Sequence, residues 1–498
     1  MKPDAGCRSK WVYPAFVLTV FAFLLVFFCA YRPVVLDNMD DWTYISFTRR
    51  AVPLWKYWNP TRVFPEIFMP VCAQLGVFLM YPFTGDYVWS VSAALNLALC
   101  VFAALYFAFF CRILYRKMGI AESVGVMISV LFLVLHFKSW MSPWIPGRHV
   151  LYTGCATTAF YYTIPALLNA MLVMAMDISA QTERFADGEK PVQKGCFIIL
   201  LYLAVFSNLF SSCILAVYAG WRMLCLMCQA VSRRISVREC LKKGAVFVGI
   251  LAAWLVSVVY EVAGGRAANL QSDVSYWARI KETVHMLLNT IEQMDDAVFF
   301  LCAGMIAAGV VLLAISRCSK EEDRAYACEL LKHLVCAALT GVFLILLCAA
   351  TASSYIDRMD VLIGPVFHVM LASAYSLAYV IRKWKAGALA VPLVIFVFAF
   401  DVLMGIGSFA HSTTNGQPAE TALAVNRAFM QQILDADQAG LTEMTMKVPV
   451  CDSADNFPYA YAMGGRMITT LSNHGMIDHL EVIHIEPTEG FYAEFGIE

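Results

Sequence analysis

The chain has 498 residues, of which 60% are hydrophobic and only 15% are charged. Soluble domains carry about a quarter charged residues, so this composition excludes an ordinary soluble protein and predicts a polytopic membrane protein. The formal net charge of −1 gives no basis for nucleic-acid binding. The 17 cysteines lie mostly in apolar runs, which does not indicate a disulfide framework.

The first apolar run, Trp11–Tyr31, follows a basic start and is too long for a typical signal-peptide core. It predicts a retained membrane span whose basic end is cytoplasmic. Further apolar runs of about 17 to 25 residues bring the predicted spans to eleven. We place them at Tyr87–Cys111, Ile120–Phe137, Gly154–Met176, two within Gly195–Val231, Gly244–Tyr260, Ala297–Ser316, Leu334–Ile356, Val361–Ile381 and Ala386–Ala410.

Two alternatives change this count. Ile67–Phe83 is also apolar and would be a twelfth span, and Gly195–Val231 would fit one long helix instead of two. With eleven spans and a cytoplasmic N-terminus, 21 Lys and Arg lie in inner segments and 14 in outer ones. Either alternative would move basic clusters to the outside, against the positive-inside rule. The charges therefore favour eleven spans, with Ile67–Phe83 as a helix at the outer interface.

Two outer regions have structure of their own. Ala263–Asp296 has apolar residues at helical spacing and predicts an amphipathic surface helix. The tail, 411–498, contains no spanning run and predicts a small extracytoplasmic α/β domain. Its elements are a helix at Glu420–Leu434, a strand at "TMKVPV", a helix near Tyr459–Leu471 and a strand at "HLEVIHI". The chain thus divides into an all-α polytopic domain, 1–410, and this tail.

The first outer loop, 32–86, opens with the carboxylates of Asp37, Asp40 and Asp41. Clustered carboxylates can take a proton from a hydroxyl group or hold a divalent cation such as Mg²⁺ or Mn²⁺. Arg62 adds a guanidinium suited to phosphate, and Trp58 adds a ring suited to a sugar or to the membrane interface. The alternative is a solvated loop with interfacial aromatic residues.

The order of these elements resembles a known family. A first span, an outer loop with "DDWTY" and "WNPTR", an interfacial helix ending near "FTGD" and a long span closing on "YRKMG" resemble the C-type glycosyltransferase superfamily. Within that class of membrane enzymes, which use polyprenyl-phosphate sugars, the bacterial glucosyltransferase-like branch is the most similar. The resemblance covers roughly the first 140 residues. "NPTRVFPE" departs from the pattern because no glycine stands beside the arginine.

The resemblance implies a single displacement with inversion at the sugar. Asp41, or Asp40 beside it, would act as general base on the acceptor hydroxyl, and Arg62 would contact the donor phosphate. Positive charge stabilises a phosphate leaving group. Substrate-binding roles in the same loop would fall to Asp37, Trp42, Trp58 and Glu66, of which Asp37 and Glu66 could instead be helix caps.

Two other outer loops carry candidates. Arg148 and His149 precede the fourth span and would close over the donor phosphate and sugar, or else anchor the loop at the interface. Tyr355, Asp357 and Arg358 lie on a short outer loop, where they would bind phosphate and sugar or form a local ion pair.

We therefore predict a plasma-membrane glycosyltransferase that moves a sugar from a polyprenyl phosphate to a cell-surface glycan or lipid acceptor on the outer face. The alternatives are a transporter or flippase of lipid-linked sugars, a glycan polymerase or ligase, and a non-catalytic scaffold. A transporter should carry ionisable groups deep in its spans. Here the charged candidates lie in outer loops. Asp401 is interpreted as a hydrogen-bonded helix-end residue, and His136 and His368 as packing residues.

Overall fold

The computed structural model describes residues 11–47, 49, 51–53, 58–142, 144–145, 147–178, 191–264, 274–409, 418–450 and 463–497. Its first helices are α1 (Val12–Tyr31), α2 (Met39–Tyr44), α3 (Val63–Thr84), α4 (Tyr87–Met118), α5 (Glu122–Lys138), α6 (Ala156–Ile178) and α7 (Pro191–Val205). They are followed by α8 (Leu209–Val231), α9 (Val237–Gly264), α10 (Tyr276–Glu292), α11 (Asp296–Ser316), α12 (Glu321–Ala350), α13 (Met359–Lys383) and α14 (Gly387–Met404).

Among these described helices, ten are long and apolar enough to cross a membrane, namely all except α2, α5, α7 and α10. The prediction of an all-α polytopic membrane protein is confirmed. Helix α10 is the amphipathic helix expected between the spans, with Thr283 and Thr290 on its buried side.

Helix α5 has only 17 residues, yet it reaches both ends of α1. At one end the Glu122 carboxylate accepts a hydrogen bond from the Tyr13 N–H at 3.2 Å, and at the other the rings of Phe27 and Phe137 lie 4.8 Å apart. Helix α5 therefore runs beside most of α1, but it is too short to count among the ten candidate spans, and the span at Ile120–Phe137 stays a prediction. Lys138 ends α5 with an ion pair to Asp401 of α14 at 2.6 Å, as the interpretation of Asp401 as a hydrogen-bonded helix-end residue required.

Helix α3 runs beside only part of α4. Near its start the ring of Phe64 lies 6.1 Å from that of Phe102, and further along Gly76 abuts the backbone of Ser90 and Val91. By length and hydropathy α3 qualifies as a span. Its contacts follow the first half of α4, and the placement of Ile67–Phe83 at the outer interface stays a prediction.

The run Gly195–Val231 is divided between two helices, as predicted, but α7, with 15 residues, is too short to count among the ten candidate spans. Residues 206–208 interrupt it, and the side chain of Asn208 caps α8 by accepting a hydrogen bond from the Phe210 N–H at 3.0 Å. The carbonyl of Phe206 accepts from the Phe64 N–H at 3.1 Å, which ties the start of α3 to this break.

The C-terminal segment is a small α/β unit, also as predicted. It consists of α15 (Ala419–Gln438), β1 (Glu443–Pro449), α16 (Met463–Asn473), β2 (Val482–Thr488) and α17 (Phe491–Glu494). The two strands pair in parallel, with Glu443 opposite Val482. A parallel pair requires a crossover connection, and α16 lies within it.

This tail packs directly on the first loop and on the start of α4. Arg427 forms an ion pair with Asp86 at 2.6 Å, and the Tyr87 hydroxyl lies 2.7 Å from His474 Nδ1. We call the end of the bundle that carries the tail the tail end, and the opposite end the far end.

Candidate functional site

The acids that follow the first span lie on or next to α2. Asn38 caps this helix by accepting from the Asp41 N–H, and the Asp41 carboxylate accepts from the Asn38 N–H in return. The same carboxylate accepts from the Asp37 N–H at 2.9 Å and from the N–H and hydroxyl of Thr157, each at 2.6 Å. Asp41 is fully buried. Its Oδ1 ties α2 to Thr157 at the start of α6, and its Oδ2 holds the backbone that precedes α2.

Burial raises the pKa of the Asp41 carboxyl above its usual range, although the hydrogen bonds from Thr157 and from the backbone of Asp37 oppose the shift. A carboxylate surrounded by protein donors on both oxygens is poorly placed to accept a proton from a substrate hydroxyl. Asp37 is also buried, with 1% of its surface exposed.

Asp40 lies on a different side of α2, because consecutive residues of a helix point about 100° apart. Tyr44 follows Asp40 by four residues and therefore shares its helix face. The Tyr44 hydroxyl accepts a hydrogen bond from Arg62 Nη1 at 3.2 Å. The partly exposed Asp40 is thus the acid of α2 that shares a face with the residues around Arg62.

Glu66 is the buried centre of a group of side chains that we call the Glu66 cluster. Arg49 Nε lies 2.9 Å from Glu66 Oε2, while Arg62 Nη1 lies 3.9 Å from Oε1 and the Tyr161 hydroxyl donates to Oε1 at 3.3 Å. Tyr44 completes the cluster through its ring contact with Tyr161 at 4.9 Å. Two guanidinium groups share one carboxylate, so the cluster has formal positive charge available for an anionic ligand.

Arg358 is the centre of a second group, the Arg358 cluster. Its Nε and Nη2 donate to the two oxygens of Asp360 at 3.1 and 2.6 Å, and its guanidinium lies 4.3 Å from the Tyr162 ring centre and 5.5 Å from that of Tyr355. Burial alone would lower the pKa of Arg358, but Asp360 raises it above the ordinary value. The paired charge of Arg358 makes it a weaker phosphate ligand than Arg62.

The two clusters meet at a π-helical turn of α6, Ala159–Thr163. Tyr161 belongs to the Glu66 cluster and Tyr162 to the Arg358 cluster. Phe210 contacts the Arg358 cluster, with its ring 5.8 Å from that of Tyr162 and 5.7 Å from that of Tyr355, and it lines a small pocket together with Arg62 beside the break before α8. The pocket is lined by Thr61, Arg62, Asn208, Leu209, Phe210, Glu261 and Leu347.

Arg148 and Asp357 pair with each other. Arg148 Nη2 donates to Asp357 Oδ2 at 3.1 Å, and Nη1 donates to Gln293 at 2.5 Å. The Thr290 hydroxyl donates to the other oxygen of Asp357 at 2.7 Å. These contacts hold α10 on the bundle. The ion pair of Asp357 is therefore with another loop, and the local pair expected for this loop forms between Arg358 and Asp360.

His149 is a core residue and not an interfacial anchor. Its ring stacks on Phe137 at 5.1 Å, and its Nε2 lies 3.5 Å from Nη1 of the buried Arg32. Burial, together with Arg32, lowers the pKa of His149 well below its ordinary value, so the ring is neutral. Burial lowers the pKa of Arg32 to about 10, and its guanidinium lies over the Tyr152 ring at 5.2 Å.

The two tryptophans assigned to substrate binding contact protein. Trp42 is fully buried, stacks on Tyr87 at 6.1 Å, and donates its Nε1–H to Asn426 of the tail at 3.0 Å. Trp58 is partly buried and meets the edge of Phe206 at 5.3 Å, next to the break before α8. Trp42 is therefore a docking residue for the tail, whereas Trp58 lies beside the pocket.

Sequence reasoning missed Arg49, Tyr161 and Asn208. Arg49 is one of the arginines of "SFTRR", but nothing local distinguishes it from a solvated cation. The run "FYYT" inside an apolar span was a usable signal for Tyr161, since buried tyrosine hydroxyls require a partner.

Buried ionisable groups also occur at the far end, near the ends of α4 and α6 and in the first half of α12. Lys117 lies 2.7 Å from Glu329 and 3.3 Å from Asp177, and Lys332 contacts both of these acids. Asp177 is 1% exposed and Lys332 is 4% exposed. We call these four residues the far-end quartet. These four residues lie outside the predicted spans, at the opposite end of the bundle from the candidate residues of the outer loops.

His333 and His368 lie beside the far-end quartet, with their Nδ1 atoms 3.1 Å apart, so His368 is not an isolated packing residue. Asp177, Glu329 and His333 have ligand atoms within 4.8 Å of one another, the one such group among the described residues. The two lysines of the quartet already neutralise these carboxylates, which opposes a divalent cation there. A cation at the outer loop stays a prediction.

No protein-family model, curated protein or solved structure matches this chain. The likeness to C-type glycosyltransferases is therefore carried by the sequence motifs of the first loop alone.

Proposed function

We propose that this protein is a membrane glycosyltransferase that moves a sugar from a polyprenyl-phosphate donor to a cell-surface glycan or lipid acceptor. The observation that carries the proposal is the Glu66 cluster. Arg49 and Arg62 share one buried carboxylate beside a polar pocket, and the acid-bearing helix α2 contacts the same cluster through Tyr44.

Arg62 is assigned to the donor phosphate. It lines the pocket, is partly exposed, and shares its carboxylate with Arg49, so its guanidinium fork can turn to a phosphate at small electrostatic cost. A phosphate leaving group is stabilised by such preorganised positive charge. Arg358 supports the site from the other side of Phe210, as a fixed cation paired with Asp360.

Asp40 is assigned as the general base on the acceptor hydroxyl. It shares a helix face with Tyr44 and is partly exposed, whereas the Asp41 carboxylate is occupied by hydrogen bonds to α2 and Thr157. The reaction requires a base with access to substrate. Asp41 then acts as the residue that anchors the helix.

The proposed orientation puts the N-terminus in the cytoplasm and the tail end on the outer face of the plasma membrane. The support for this orientation is the excess of basic residues, 21 against 14, in the segments that would be inside. The sugar would then be transferred outside the cell from a donor within the outer leaflet.

The direct test is donor consumption. Proteoliposomes containing the purified chain would be given a panel of polyprenyl-phosphate sugars with glycan and lipid acceptors, and released polyprenyl phosphate would be measured. We expect one donor to be consumed, and Asp40→Asn to slow turnover by about 10² to 10⁴-fold. Asp296→Asn, an exposed acid on α11, is the matched control. Failure of every donor, or full turnover in both Asp40→Asn and Asp41→Asn, contradicts the proposal.

The second candidate is a transporter or flippase of lipid-linked sugars, because the far-end quartet places buried ionisable groups between three long helices, and such groups in membrane proteins can mark transport pathways. The same proteoliposomes discriminate the two. A flippase moves a labelled polyprenyl-phosphate sugar across the bilayer intact, whereas a transferase cleaves its sugar–phosphate bond.

A further inference from the structure

Asn426, on α15 of the tail, is bound to the first outer loop on both sides of its acids. Its Oδ1 accepts from Trp42 Nε1 at 3.0 Å, and its Nδ2 donates to the Leu36 carbonyl at 2.9 Å and to the Ala422 carbonyl at 2.8 Å. The side chain is fully buried. Leu36 precedes Asp37, and Trp42 follows Asp41.

The segment between these two anchor points has few remaining degrees of freedom. Its N-terminal half is the capping box of Asn38 and Asp41, and its start is held through the Leu36 carbonyl. Asp40 lies inside this segment. The position of the Asp40 carboxylate relative to Arg62 is consequently set in part by one amide that lies 384 residues after Trp42.

A second contact from the tail acts in the same place. The Thr470 hydroxyl of α16 donates to the Trp42 carbonyl and lies 2.9 Å from the Ser46 hydroxyl. Two tail helices therefore hold the beginning and the end of α2. Buried amides and hydroxyls with satisfied partners fix one geometry, because any displacement leaves a buried polar group without a hydrogen bond.

We propose that Asn426 is a positioning residue of the active site, which holds α2 so that Asp40 faces the Glu66 cluster. The tail is then part of the catalytic unit. The inference has a structural half, that Asn426 positions α2, and a catalytic half, that this position is needed for turnover. Only the catalytic half rests on the proposed glycosyl transfer.

The experiment separates these halves with two readouts on the full chain in nanodiscs. Hydrogen exchange of the amides of residues 37–45 reports the position of α2 without any substrate. Steady-state kinetics with the consumed polyprenyl-phosphate sugar reports kcat and KM. The variants are Asn426→Ala, which removes all three hydrogen bonds, and Asn426→Asp, which keeps an acceptor for Trp42 but loses the donor to Leu36. Asn473→Ala, an exposed asparagine on α16, is the matched control.

We expect Asn426→Ala to accelerate exchange at residues 37–45 by about tenfold or more, because one lost buried hydrogen bond is worth about a factor of ten. We expect kcat to fall by about 10 to 100-fold with donor KM changed less than about threefold, because the acid is misplaced while the phosphate site is intact. Asn426→Asp should fall between Asn426→Ala and the wild type.

Unchanged exchange in Asn426→Ala overturns the positioning role outright. Faster exchange with wild-type kcat overturns the catalytic half. If wild-type protein consumes no donor, the proposed function fails, and the exchange result still decides whether Asn426 positions α2. If Asn426→Ala unfolds globally, exchange will accelerate throughout the bundle. Exchange at residues 37–45 of Asn426→Asp, measured while its spans stay protected, then decides whether Asn426 positions α2.

Discussion

Two adjacent carboxylates of one short helix have separate environments. Asp41 faces Thr157 with all of its surface buried, and Asp40 faces the side of Tyr44 with part of its surface exposed. Helix geometry forces this division, since neighbouring side chains cannot share a face. Stability and chemistry can therefore be assigned to different members of the pair.

Asp41→Asn should destabilise the protein, whereas Asp40→Asn should not. The amide at position 41 replaces one acceptor oxygen by an NH₂ group that faces donors, so a loss of about 2 to 3 kcal/mol is expected. A change within about 0.5 kcal/mol is expected for Asp40→Asn, as for a partly exposed side chain. Thermal unfolding in detergent measures both. Equal stability of the two variants would contradict the anchoring role of Asp41.

We predict that Arg62 binds the donor phosphate through its two-donor guanidinium fork as well as through its positive charge. Arg62→Ala should weaken binding by about 10 to 100-fold, since charge-assisted hydrogen bonds are worth about 1.5 to 3 kcal/mol. Arg62→Lys should lie between Arg62→Ala and the wild type, because it keeps the charge and loses the two-donor fork. Binding of a fluorescent polyprenyl phosphate is the measurement, and Arg234→Ala, an exposed far-end arginine, is the control. Normal affinity in Arg62→Ala would remove this residue from the site.

At the scale of elements, the break between α7 and α8 creates the pocket. A continuous helix through residues 206–208 would bring apolar side chains to the place where the Phe206 carbonyl accepts from the Phe64 N–H. Neighbouring residues alone predicted this break, because the side chains of Ser and Asn compete for backbone hydrogen bonds and so favour helix ends. The capping Asn208 also lines the pocket.

Asn208→Ala should cost about 1 kcal/mol of stability, the usual loss for a helix N-cap. Asn208→Asp keeps the acceptor for the Phe210 N–H and should recover most of this loss. The midpoint of thermal unfolding measures the difference, and Asn289→Ala on the exposed side of α10 serves as the control. A wild-type midpoint for Asn208→Ala would mean that the cap does not stabilise α8.

At the scale of the whole molecule, the tail and the bundle are joined through buried polar contacts. His474 is 3% exposed and its Nδ1 lies 2.7 Å from the Tyr87 hydroxyl. Burial lowers the pKa of His474 from 6.5 to about 4, so the folded tail holds a neutral ring. Because the pKa of His474 is lower in the folded protein than in the unfolded one, the neutral ring contributes its full share to the stability of the docked tail above pH 6.5. This contribution is lost as the pH falls toward 4.

Acidification should therefore release the tail. Between pH 7 and pH 4 we expect docking to lose about 2 to 3 kcal/mol, following the size of the pKa shift. Hydrogen exchange of α16 across this range measures the release. His474→Gln should flatten the pH dependence, while His484→Gln, an exposed tail histidine, should not. An identical pH profile in His474→Gln would assign the acid sensitivity to another group.

The far-end quartet connects α4, α6 and α12. Lys332→Met should cost about 3 to 5 kcal/mol, because it leaves buried carboxylates without their counter-charge. Adding Asp177→Asn should restore part of this stability, since removing both partners removes the unpaired charge. Thermal unfolding in detergent tests this, with Lys243→Met in an exposed pair as the control. A double variant no more stable than Lys332→Met would argue against mutual neutralisation.

The sequence by itself determined the membrane class, the two helices within Gly195–Val231, the amphipathic α10 and the α/β character of the tail. These properties are local, because hydropathy, helical periodicity and capping residues act over about 20 residues or fewer. Because these patterns are local, they predicted less about the candidate site. They selected the acid-bearing loop and Arg62, but they could not rank Asp40 above Asp41.

Only the tertiary structure shows that Asp41 is buried against Thr157, which lies 116 residues away in the chain, whereas Asp40 is partly exposed. It likewise decided that Trp42 serves the tail, through Asn426, and that Lys332 is neutralised by Asp177 from another span. Each is a contact between residues whose separation leaves no periodic trace in the sequence. A buried polar group is specified by the partner that satisfies it, and that partner is known only once the chain has folded.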